Sequence, residues 1–562
     1  MASLTPNTAV LGEKYAKHLL KRATFAYSKA LVDVFAKLTA EQAVELLFQE
    51  KPLVLALPYD AVYKTGLDGK NNTGTQLDGY WTERTDVSQS YFGATSSQKA
   101  SYVSAWWWYN AIHTPTIKFK FSHFLSTRFT IARSNGGNLN VTSFYDHIRL
   151  LLFYSVGNYK SLAKKMTLDN YMLQYLNNTN NLKTAANENY AREFLELFTI
   201  GKGPQIGPGD YTNYTEADIV QAAKLLTGFR VQSDRKNIDP ETKMPRGSNS
   251  FSNHDTSAKT FSATFDNRVI NGATSAAAMH TELSEFVEMV FSKDATALNI
   301  CRKLYRYFVR STISSEVETD IIIPLAQELK ANNYELKPTV GKLLASLHFY
   351  DLDDGDATDE VIGAMVKSPV QLISEILTYF GCKIPDPTNQ AASFYHSFWL
   401  NNLDFSFLSL ANMQIFNPPN VAGHEAFYQE PGYDKSWISS ATLIARYRIG
   451  ESLLTGKNVL RTGSPSMGVT LDIVTAIKTG GLVSQPSDPV ALTTDLCTAL
   501  FGQLPDVERI NYFKKALLGD YDDHYWTYEW TLFTASNNKT VVEPRLKELV
   551  RELLSAPEFQ LF

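Results

Sequence analysis

Cysteine is scarce in this sequence, and its spacing excludes the two common structural uses of the residue. The three cysteines, Cys301, Cys382 and Cys497, are far apart in the chain and odd in number. They have neither the Cys-x-x-Cys nor the Cys/His spacing of a structural zinc site. We therefore expect neither a disulfide framework nor such a zinc site, and we interpret the three thiols as core residues.

Long apolar runs and a strong net charge are also missing. No stretch approaches the ~18 apolar residues that span a bilayer, and residues 1–10 lack the basic segment and apolar run of a signal peptide. We therefore expect a cytoplasmic chain, with export alongside a partner as the alternative. Lys and Arg number 53 and Asp and Glu 58, a net charge of −5. A surface with this balance of charges does not favour the binding of a polyanion, so nucleic acid is not expected as a partner.

Several catalytic signatures are absent as well. The sequence contains no His-Glu-x-x-His, no Gly-x-Ser-x-Gly, no phosphate-binding loop and no dinucleotide-binding glycine fingerprint. Zinc proteases, α/β hydrolases, nucleoside triphosphatases and Rossmann enzymes are therefore not indicated. A triad scattered along the chain stays open, because triads are recognised by geometry and not by local sequence. No motif identifies a cofactor or a metal, and both stay unknown at this stage.

Apolar residues recur with the period of an α-helix over most of the chain. They recur every three or four positions, the spacing that puts them on one face of an α-helix. This spacing predicts helices at residues 15–25, 39–50, 281–291, 296–310, 320–329 and 542–554. Residues 58–101 are rich in Gly, Asn, Thr and Ser, which predicts a long loop. The adjacent Trp106, Trp107 and Trp108 predict aromatic packing in a core.

The fold class follows from this pattern. An Asp266-Asn267 pair between two short runs, 259–265 and 268–270, predicts one hairpin. We predict a mainly α, multi-helix globular protein with long irregular loops and at most a small β-hairpin. The 562 residues are enough for several cores. We divide them into an N-terminal helical region with the long loop (1–110), a core helical region (111–350) and a C-terminal helical region (351–562).

Residues 187–193, with the sequence NENYARE and here called the Asn187 block, begin a predicted helix with an apolar and a polar edge. The apolar edge consists of Tyr190, Phe194, Leu197 and Phe198. The polar edge consists of Glu188, Arg192 and Glu196, with Glu188 placed to pair with Arg192. This edge is either an ion-paired structural face or part of a polar site. In the second interpretation Glu188 or Glu193 acts as acid, base or ligand, and Asn187 and Asn189 turn toward the same pocket.

A row of arginines has the same four-residue period on another predicted helix. Arg302, Arg306 and Arg310 form this row. Two rows of opposite charge would clamp two helices together. Alternatively, the planar guanidinium groups would bind a carboxylate, sulfate or phosphate group through paired hydrogen bonds.

Histidine is sparse, at 10 residues, and one histidine stands beside a carboxylate. His254-Asp255 lies in an irregular segment before the predicted hairpin. In such a segment a polar pair either contributes to a functional site or satisfies the hydrogen bonds of a turn. The enzyme hypothesis combines this pair with the Asn187 block. Its catalytic candidates are Glu188, Glu193, His254 and Asp255, and its ligand-binding candidates are Asn187, Asn189, Arg192, Arg302 and Arg306.

Several short motifs point to one family when they are taken together. The two most specific are the Asn187 block and the loop Asn417-Pro418-Pro419-Asn420-Val421-Ala422-Gly423. The others include His18-Leu19-Leu20-Lys21-Arg22-Ala23-Thr24-Phe25, Gly157-Asn158-Tyr159, Tyr214-Thr215-Glu216-Ala217-Asp218, Arg302-Lys303-Leu304-Tyr305 and Ser555-Ala556-Pro557-Glu558-Phe559. In this order they cover nearly the whole chain. The chain therefore resembles the bacterial family named domain of unknown function 1800.

The resemblance has one departure, near His123. The family's segment usually has the pattern Phe-Trp-His-x-His-Phe, whereas this chain has Phe119-Lys120-Phe121-Ser122-His123-Phe124. If the histidine pair binds a metal in relatives, only one of the two ligands is present here.

The resemblance also implies a partner. Members of the family are often encoded beside a sulfatase-like family, domain of unknown function 1501, and commonly belong to exported or envelope systems. We therefore expect a binding or assembly component that acts with an envelope or exported sulfatase-like partner. The alternative is a hydrolase that acts on an anionic or carbohydrate substrate in a polar cleft of Glu, His and Arg side chains. Whether the protein is an enzyme stays open.

Overall fold

The computed structural model describes residues 3–62, 79–82, 94–135, 141–352, 363–461, 463 and 466–562. Within these residues the chain forms 22 α-helices, so the prediction of a mainly α protein is confirmed. The helices are α1 Gly12–Ala23, α2 Lys29–Phe35, α3 Ala40–Phe48, α4 Ser96–His113, α5 Ile117–Ser126, α6 Val141–Phe153, α7 Tyr159–Met166, α8 Asn170–Tyr175, α9 Asn189–Glu193, α10 Glu216–Leu225, α11 Ala278–Ser292, α12 Asp294–Phe308, α13 Ser315–Val317, α14 Ile323–Ala331, α15 Leu336–Ala345, α16 Pro369–Tyr379, α17 Ser440–Thr455, α18 Ile473–Thr479, α19 Pro489–Leu500, α20 Val507–Leu518, α21 Asp523–Ser536 and α22 Val542–Leu554.

Other regular structure is short, apart from one long π-helical segment. The π-helical segments are Phe194–Phe198, Glu318–Ile322 and Ala392–Leu408. The β pairs, all antiparallel, are β1 Gln205–Gly207 with β2 Asp210–Tyr211, β3 Phe229–Arg230 with β4 Ser248–Asn249, and β5 Lys259–Thr260 with β6 Val269–Ile270. The β5–β6 pair is the predicted hairpin, which is confirmed. The sequence does not predict the other two pairs, because strands of two or three residues are too short to show an alternating pattern.

Local side-chain caps determine where several helices begin. A threonine precedes α3, α4 and α10, and its hydroxyl accepts a hydrogen bond from the backbone N–H three positions later. These threonines are Thr39, Thr95 and Thr215. The side chain three positions later accepts a hydrogen bond from the threonine N–H in return, which completes a capping box. Each box satisfies two backbone donors that would otherwise lack a partner.

Helix α4 brings the three tryptophans into the core. Trp106, Trp107 and Trp108 are buried, so the predicted packing role is confirmed. Their indole N–H groups donate, in this order, to Leu55 O at 2.7 Å, Ser122 Oγ at 3.0 Å and Ser374 Oγ at 3.0 Å. A buried indole needs such an acceptor as well as apolar neighbours.

The predicted loop at residues 58–101 is too long at its end. Helix α4 already begins at Ser96, where Thr95 supplies the cap. The polar residues at the start of α4 hide this helix from a hydrophobic pattern. Residues 63–78 and 83–93 of the predicted loop lie outside the described residues.

Apolar side chains from all parts of the chain meet in one contiguous core. In sequence this core extends from Leu11 to Phe559, and it includes residues of all three predicted regions. The division at residues 110 and 350 stays a prediction. No helix in the described part of the chain is both long and apolar enough to cross a membrane.

Candidate functional site

The polar edge of the Asn187 block forms ion pairs at the surface. Glu188 Oε2 lies 3.3 Å from Arg192 Nη2, so the predicted pair is present. Arg192 also forms an ion pair with Glu216, at the start of α10. The exposed fractions of the three side chains lie between 33% and 42%, and exposed pairs of this kind contribute about 1 kcal/mol or less. This edge therefore joins α9 to α10.

The two asparagines of the block hold the chain that leads into α9. Asn187 Oδ1 accepts a hydrogen bond from the Asn189 N–H at 2.9 Å, and the Asn187 N–H donates to Asn181 Oδ1 at 2.8 Å. The Asn189 amide donates to Leu176 O at 3.1 Å. All three bonds involve backbone groups, so these amides order the loop.

The helix of the block changes to π geometry at Phe194–Phe198, which its periodicity does not predict. A π turn alters the usual bonding of backbone carbonyls, and side chains from elsewhere bind the carbonyls here. Lys303 Nζ donates to Leu197 O and the Tyr159 hydroxyl donates to Phe198 O, each at 2.8 Å. Tertiary contacts therefore stabilise this turn.

The carboxyl group of Glu193 lies where the π turn begins. Burial, with a further contribution from repulsion by Glu196, raises the pKa of this half-buried group to about 7. A carboxyl group with that pKa exchanges its proton near neutral pH, as general acid–base catalysis requires. The assignment of Glu193 as a catalytic residue stays a prediction.

The arginine row on α12 does not meet the Asn187 block. Arg302 Nε donates to Glu318 Oε2 at 3.0 Å. Arg306 lies 4.8 Å from the centre of the Tyr433 ring and 3.7 Å from Glu430 Oε1. The interpretation that the two rows clamp each other is therefore wrong. Glu318 and Glu430 pair with Arg302 and Arg306, whereas Glu188 and Glu196 pair with Arg192 and Lys202.

His254 belongs to a buried ion cluster. Its Nε2 lies 2.7 Å from Glu282 Oε2, and Lys259 Nζ lies 2.7 Å from Glu282 Oε1. The side chains of all three residues are at most 1% exposed. Asp255 lies at the edge of this cluster, with its Oδ1 3.9 Å from Lys259 Nζ, and its carboxylate closes a local turn by accepting hydrogen bonds from the N–H and hydroxyl of Ser257. The cluster therefore ties the β5 strand to α11.

The predicted site residues thus form three separate groups. The Asn187 block lies at the junction of α9 and α10, the arginines lie beside Glu318 and Glu430, and His254 is buried. No group of three or more His, Cys, Asp or Glu side chains in the described residues is arranged to hold a metal. The catalytic and ligand-binding roles of these residues stay predictions.

A cavity of about 300 Å³ lies beside α1. The basic part of its lining comes from α1 and consists of Lys14, Lys17, His18, Lys21 and Arg22. The apolar part consists of Leu352, Phe501, Leu561 and Phe562. The remaining described lining is Gly363, Ala364, Gly502, Gln503 and Glu558. We call it the basic cavity.

The sequence of α1 explains why its basic side chains lie together. Lys14, Lys17 and Lys21 are three and four positions apart, which places them on one face of the helix. The opposite face carries apolar side chains, such as Leu19 and Leu20, that are buried in the core. Packing of the apolar face therefore turns the basic face toward the cavity.

Two of these lysines cap the C-terminal end of α19. Lys17 Nζ donates to Thr498 O at 2.7 Å, and Lys21 Nζ donates to Ala499 O and Leu500 O, each at 2.9 Å. Carbonyl groups at a helix C-terminus lack partners within the helix and carry partial negative charge, so cations are favourable there. The carbonyl groups have no net charge, so they do not neutralise Lys17, whereas Lys21 is also paired with the carboxylate of Glu375.

Few carboxylates balance the cations of the basic cavity. Glu558 lines the cavity, but it is paired with Arg509 at 2.8 Å. Glu13 is 3.7 Å from Lys17 Nζ and half exposed. Lys21 is paired with Glu375 at 2.9 Å. The positive charge that remains in the described lining is therefore that of Lys17, which Glu13 balances only in part, and that of Arg22, which donates to the backbone carbonyls of Val309 and Gly363.

Burial makes the charge of the basic cavity dependent on pH. Burial lowers the pKa of Lys17 to about 8, against an opposing attraction by Glu13. It lowers the pKa of Arg22 to about 9. Burial, together with repulsion by Arg22, also holds the pKa of His18 well below its usual value. At neutral pH Lys17 and Arg22 are therefore charged, whereas His18 is neutral.

A buried carboxylate next to the basic cavity binds two lysines. Glu375, on α16, lies 2.9 Å from Lys21 Nζ and 3.0 Å from Lys367 Nζ, and none of the three side chains is more than 3% exposed. Burial lowers the pKa of Lys367 to about 7, an effect that Glu375 partly opposes. Burial, with repulsion by Arg22, lowers the pKa of Lys120 to about 7 as well. Glu375 therefore favours the charged forms of Lys367 and Lys120.

The candidates predicted from the sequence do not include the lysines of the basic cavity. Lys21 and Arg22 occur there only as part of a family motif, and neither Lys14 nor Lys17 is among the predicted residues. The signal that could have found them is the three- and four-residue spacing of the lysines on one helix face. The apolar part of the lining has no such local signal, because it comes from distant segments.

The fold and this cavity define a class of mainly helical protein with a basic, partly apolar cavity. A family model described as "Protein of unknown function (DUF1800)" matches residues 18–561, nearly the whole chain. The chain therefore belongs to this family, as its motifs indicate. Neither a curated protein nor a solved structure matches it.

Proposed function

We propose that this protein binds a small anionic ligand and that the basic cavity is the binding site. The observation that carries the proposal is the positive charge of Lys17 and Arg22 in the described lining, where Glu558 is already paired with Arg509 and Lys21 with Glu375. Positive charge that is not neutralised by neighbouring carboxylates attracts anions, and charge-assisted hydrogen bonds then hold them.

The size and rigidity of the cavity support the same proposal. A volume of about 300 Å³ is at the lower end of the range for small-molecule sites, about 300–1,000 Å³. Lys17 and Lys21 are held by the carbonyls of α19 before any ligand binds. Because their conformations are already restricted, binding an anion orders them little further.

Lys17→Gln is expected to weaken the binding of inorganic phosphate, the probe of the cavity, by about 10-fold or more. A hydrogen bond to a charged group contributes about 1.5–3 kcal/mol, whereas glutamine keeps only a neutral donor for Thr498 O. Titration calorimetry at pH 7 and constant ionic strength measures the dissociation constant. Since an anion favours the charged lysine and the pKa of Lys17 is about 8, binding to the unchanged protein should weaken above about pH 8.

Lys29→Gln is the matched control for this variant. Lys29 pairs with Asp33 four positions away, as Lys17 pairs with Glu13, but it lies on α2 and does not line the cavity. Burial is the main cause of the low pKa of Lys17, to which the charge of Lys29 contributes only slightly. The control therefore removes the same charge without removing a donor from the lining, and it should change phosphate affinity by about twofold or less. Equal weakening in the two variants, or no saturable phosphate binding by the unchanged protein, would contradict the proposal.

The protein also acts, in this proposal, as an assembly component with a sulfatase-like partner of the domain of unknown function 1501 family, in the envelope or after export. Membership of the family supports this part. Co-expression with a member of the partner family from the same genome should give a complex that co-elutes in size-exclusion chromatography. Separate elution at micromolar concentrations would contradict the partnership and leave the binding-site proposal unaffected.

A further inference from the structure

We infer that the ligand of the basic cavity is amphipathic, with an anionic head on an apolar body, and comprises about ten non-hydrogen atoms in total. The inference rests on the proposed anion binding and adds the chemical class of the ligand. It is carried by the juxtaposition of a basic and an apolar lining in one cavity.

The apolar part of the lining is held in place by contacts outside the cavity. Phe501, directly after α19, packs on Phe513 with the ring centres 5.6 Å apart. The backbone N–H of Phe562 donates to Met365 O, and its carbonyl accepts from the Met365 N–H, both at 3.0 Å. Fixed apolar side chains cannot fold onto one another to remove their surface from water, so they offer that surface to a ligand.

The two parts of the lining meet at Arg22. Its guanidinium carbon lies 5.2 Å from the centre of the Phe562 ring. Its Nη2 donates to Phe562 O at 3.1 Å and to Gly363 O at 3.0 Å. A ligand whose charge lies near the lysines of α1 therefore has its body within reach of the apolar lining.

An inorganic anion would use only the basic part of this lining. The cavity volume of about 300 Å³ corresponds to about ten water molecules at about 30 Å³ each. Water beside the apolar part of the lining gains few hydrogen bonds there, so its displacement is favourable. Each methylene group that is fully buried in its place should tighten binding by about fourfold.

Four probes separate the contribution of the head from that of the body. Octanoate, acetate, 1-octanol and inorganic phosphate are each titrated into the full chain by calorimetry at pH 7 and constant ionic strength. Octanoate should bind at least about 100-fold more tightly than acetate, because its longer chain reaches the apolar lining. It should also bind at least about 10-fold more tightly than 1-octanol, which has no charge for the lysines.

Gly502→Leu tests the position of the apolar body. Gly502 lines the cavity, and a Cβ at this position would lie 3.8 Å from Phe562 Cα, an ordinary contact. Leucine therefore occupies cavity volume without a backbone clash. Octanoate should bind at least about 10-fold more weakly to this variant, whereas phosphate affinity should change by about threefold or less.

Gly207→Leu is the matched control for this substitution. Gly207 lies on β1, where a Cβ would also meet only ordinary contacts, the nearest at 3.6 Å. The control should bind octanoate as the unchanged protein does. An unchanged melting temperature of both variants, within about 2 °C, shows that the fold is kept.

The outcomes distinguish this inference from the proposal on which it rests. If phosphate binds but octanoate binds no more tightly than acetate, the amphipathic ligand is overturned and the anion site stands. If none of the anions binds, both are overturned. Equal affinities for octanoate and 1-octanol overturn the anionic head, and unchanged octanoate affinity in Gly502→Leu overturns the position of the body.

Discussion

Glu375→Gln is expected to lower the free energy of unfolding by about 3–5 kcal/mol, the usual effect of removing one partner from a buried ion pair. Glu375 lies 2.9 Å from Lys21 Nζ and 3.0 Å from Lys367 Nζ in a fully buried cluster. Glutamine keeps the shape of the side chain, but the two ammonium groups lose their counterion. Urea denaturation at pH 7 measures the loss, which is a large share of an ordinary stability of about 5–15 kcal/mol.

The pH dependence of this loss identifies its cause. The pKa of Lys367 in the folded protein, about 7, lies below the usual lysine value of 10.5. The contribution of this lysine to stability is therefore fully present above about pH 10.5 and is lost as the pH falls through about 7. In the variant the lysine can escape its buried charge by losing a proton, so the deficit should be larger at pH 6 than at pH 9.

Asp33→Asn is the control for a simple change in charge. Asp33 pairs with Lys29 at the surface, with exposed fractions of 52% and 31%. Removing an exposed partner should change stability by about 1 kcal/mol or less. A similarly small change for Glu375→Gln, with no dependence on pH, would show that the two lysines do not depend on Glu375.

Acidification from pH 7 to pH 4 is expected to lower the free energy of unfolding by at least about 6 kcal/mol, because buried histidines must take up protons. Burial lowers the pKa of His348 and of His424 to about 4, and that of His123 to about 3. Their contribution to stability is present above the usual value of 6.5 and is lost as the pH falls toward 4. A pKa shift of this size lowers the free energy of unfolding at pH 4 by about 3 kcal/mol for each of His348 and His424.

His424→Gln isolates the contribution of one histidine to this profile. Burial is the main cause of the low pKa of His424, and the backbone of Gln414 and Asn412 opposes it in part. A glutamine side chain is polar but does not titrate. The slope of unfolding free energy against pH between 6.5 and 4.5 should therefore fall by the equivalent of about one proton. His524→Gln, at an exposed position on α21, is the control. Identical slopes in the two variants and the unchanged protein would contradict the assignment.

Local patterns predict much of the helical architecture, because an amphipathic helix repeats its buried face every three or four residues. The predicted run at 542–554 coincides with α22, and the run at 281–291 lies within α11. The same reasoning predicts the pairing of Glu188 with Arg192, since four positions along a helix bring two side chains together.

Features that depend on contacts between distant segments were not predicted correctly from the sequence. The π turn at Phe194–Phe198 depends on donors such as Lys303, which is distant in the chain. Of the two interpretations of the arginine row, the clamp with the Asn187 block is wrong, because spacing shows which residues share a face and not which carboxylate lies opposite. Glu318 and Glu430 occupy that place in the fold.

By itself the sequence determined the helical class, the single predicted hairpin and the family. The spacing that puts Lys14, Lys17 and Lys21 on one face of α1 is also local, although the candidates predicted from the sequence do not include these lysines. Only the tertiary structure decided that these lysines line a cavity and that Glu375 lies next to it. Lys17 and Thr498 are 481 positions apart, and Arg22 and Phe562 are 540 apart. Contacts over such separations depend on how all the intervening helices pack, and no local pattern specifies them.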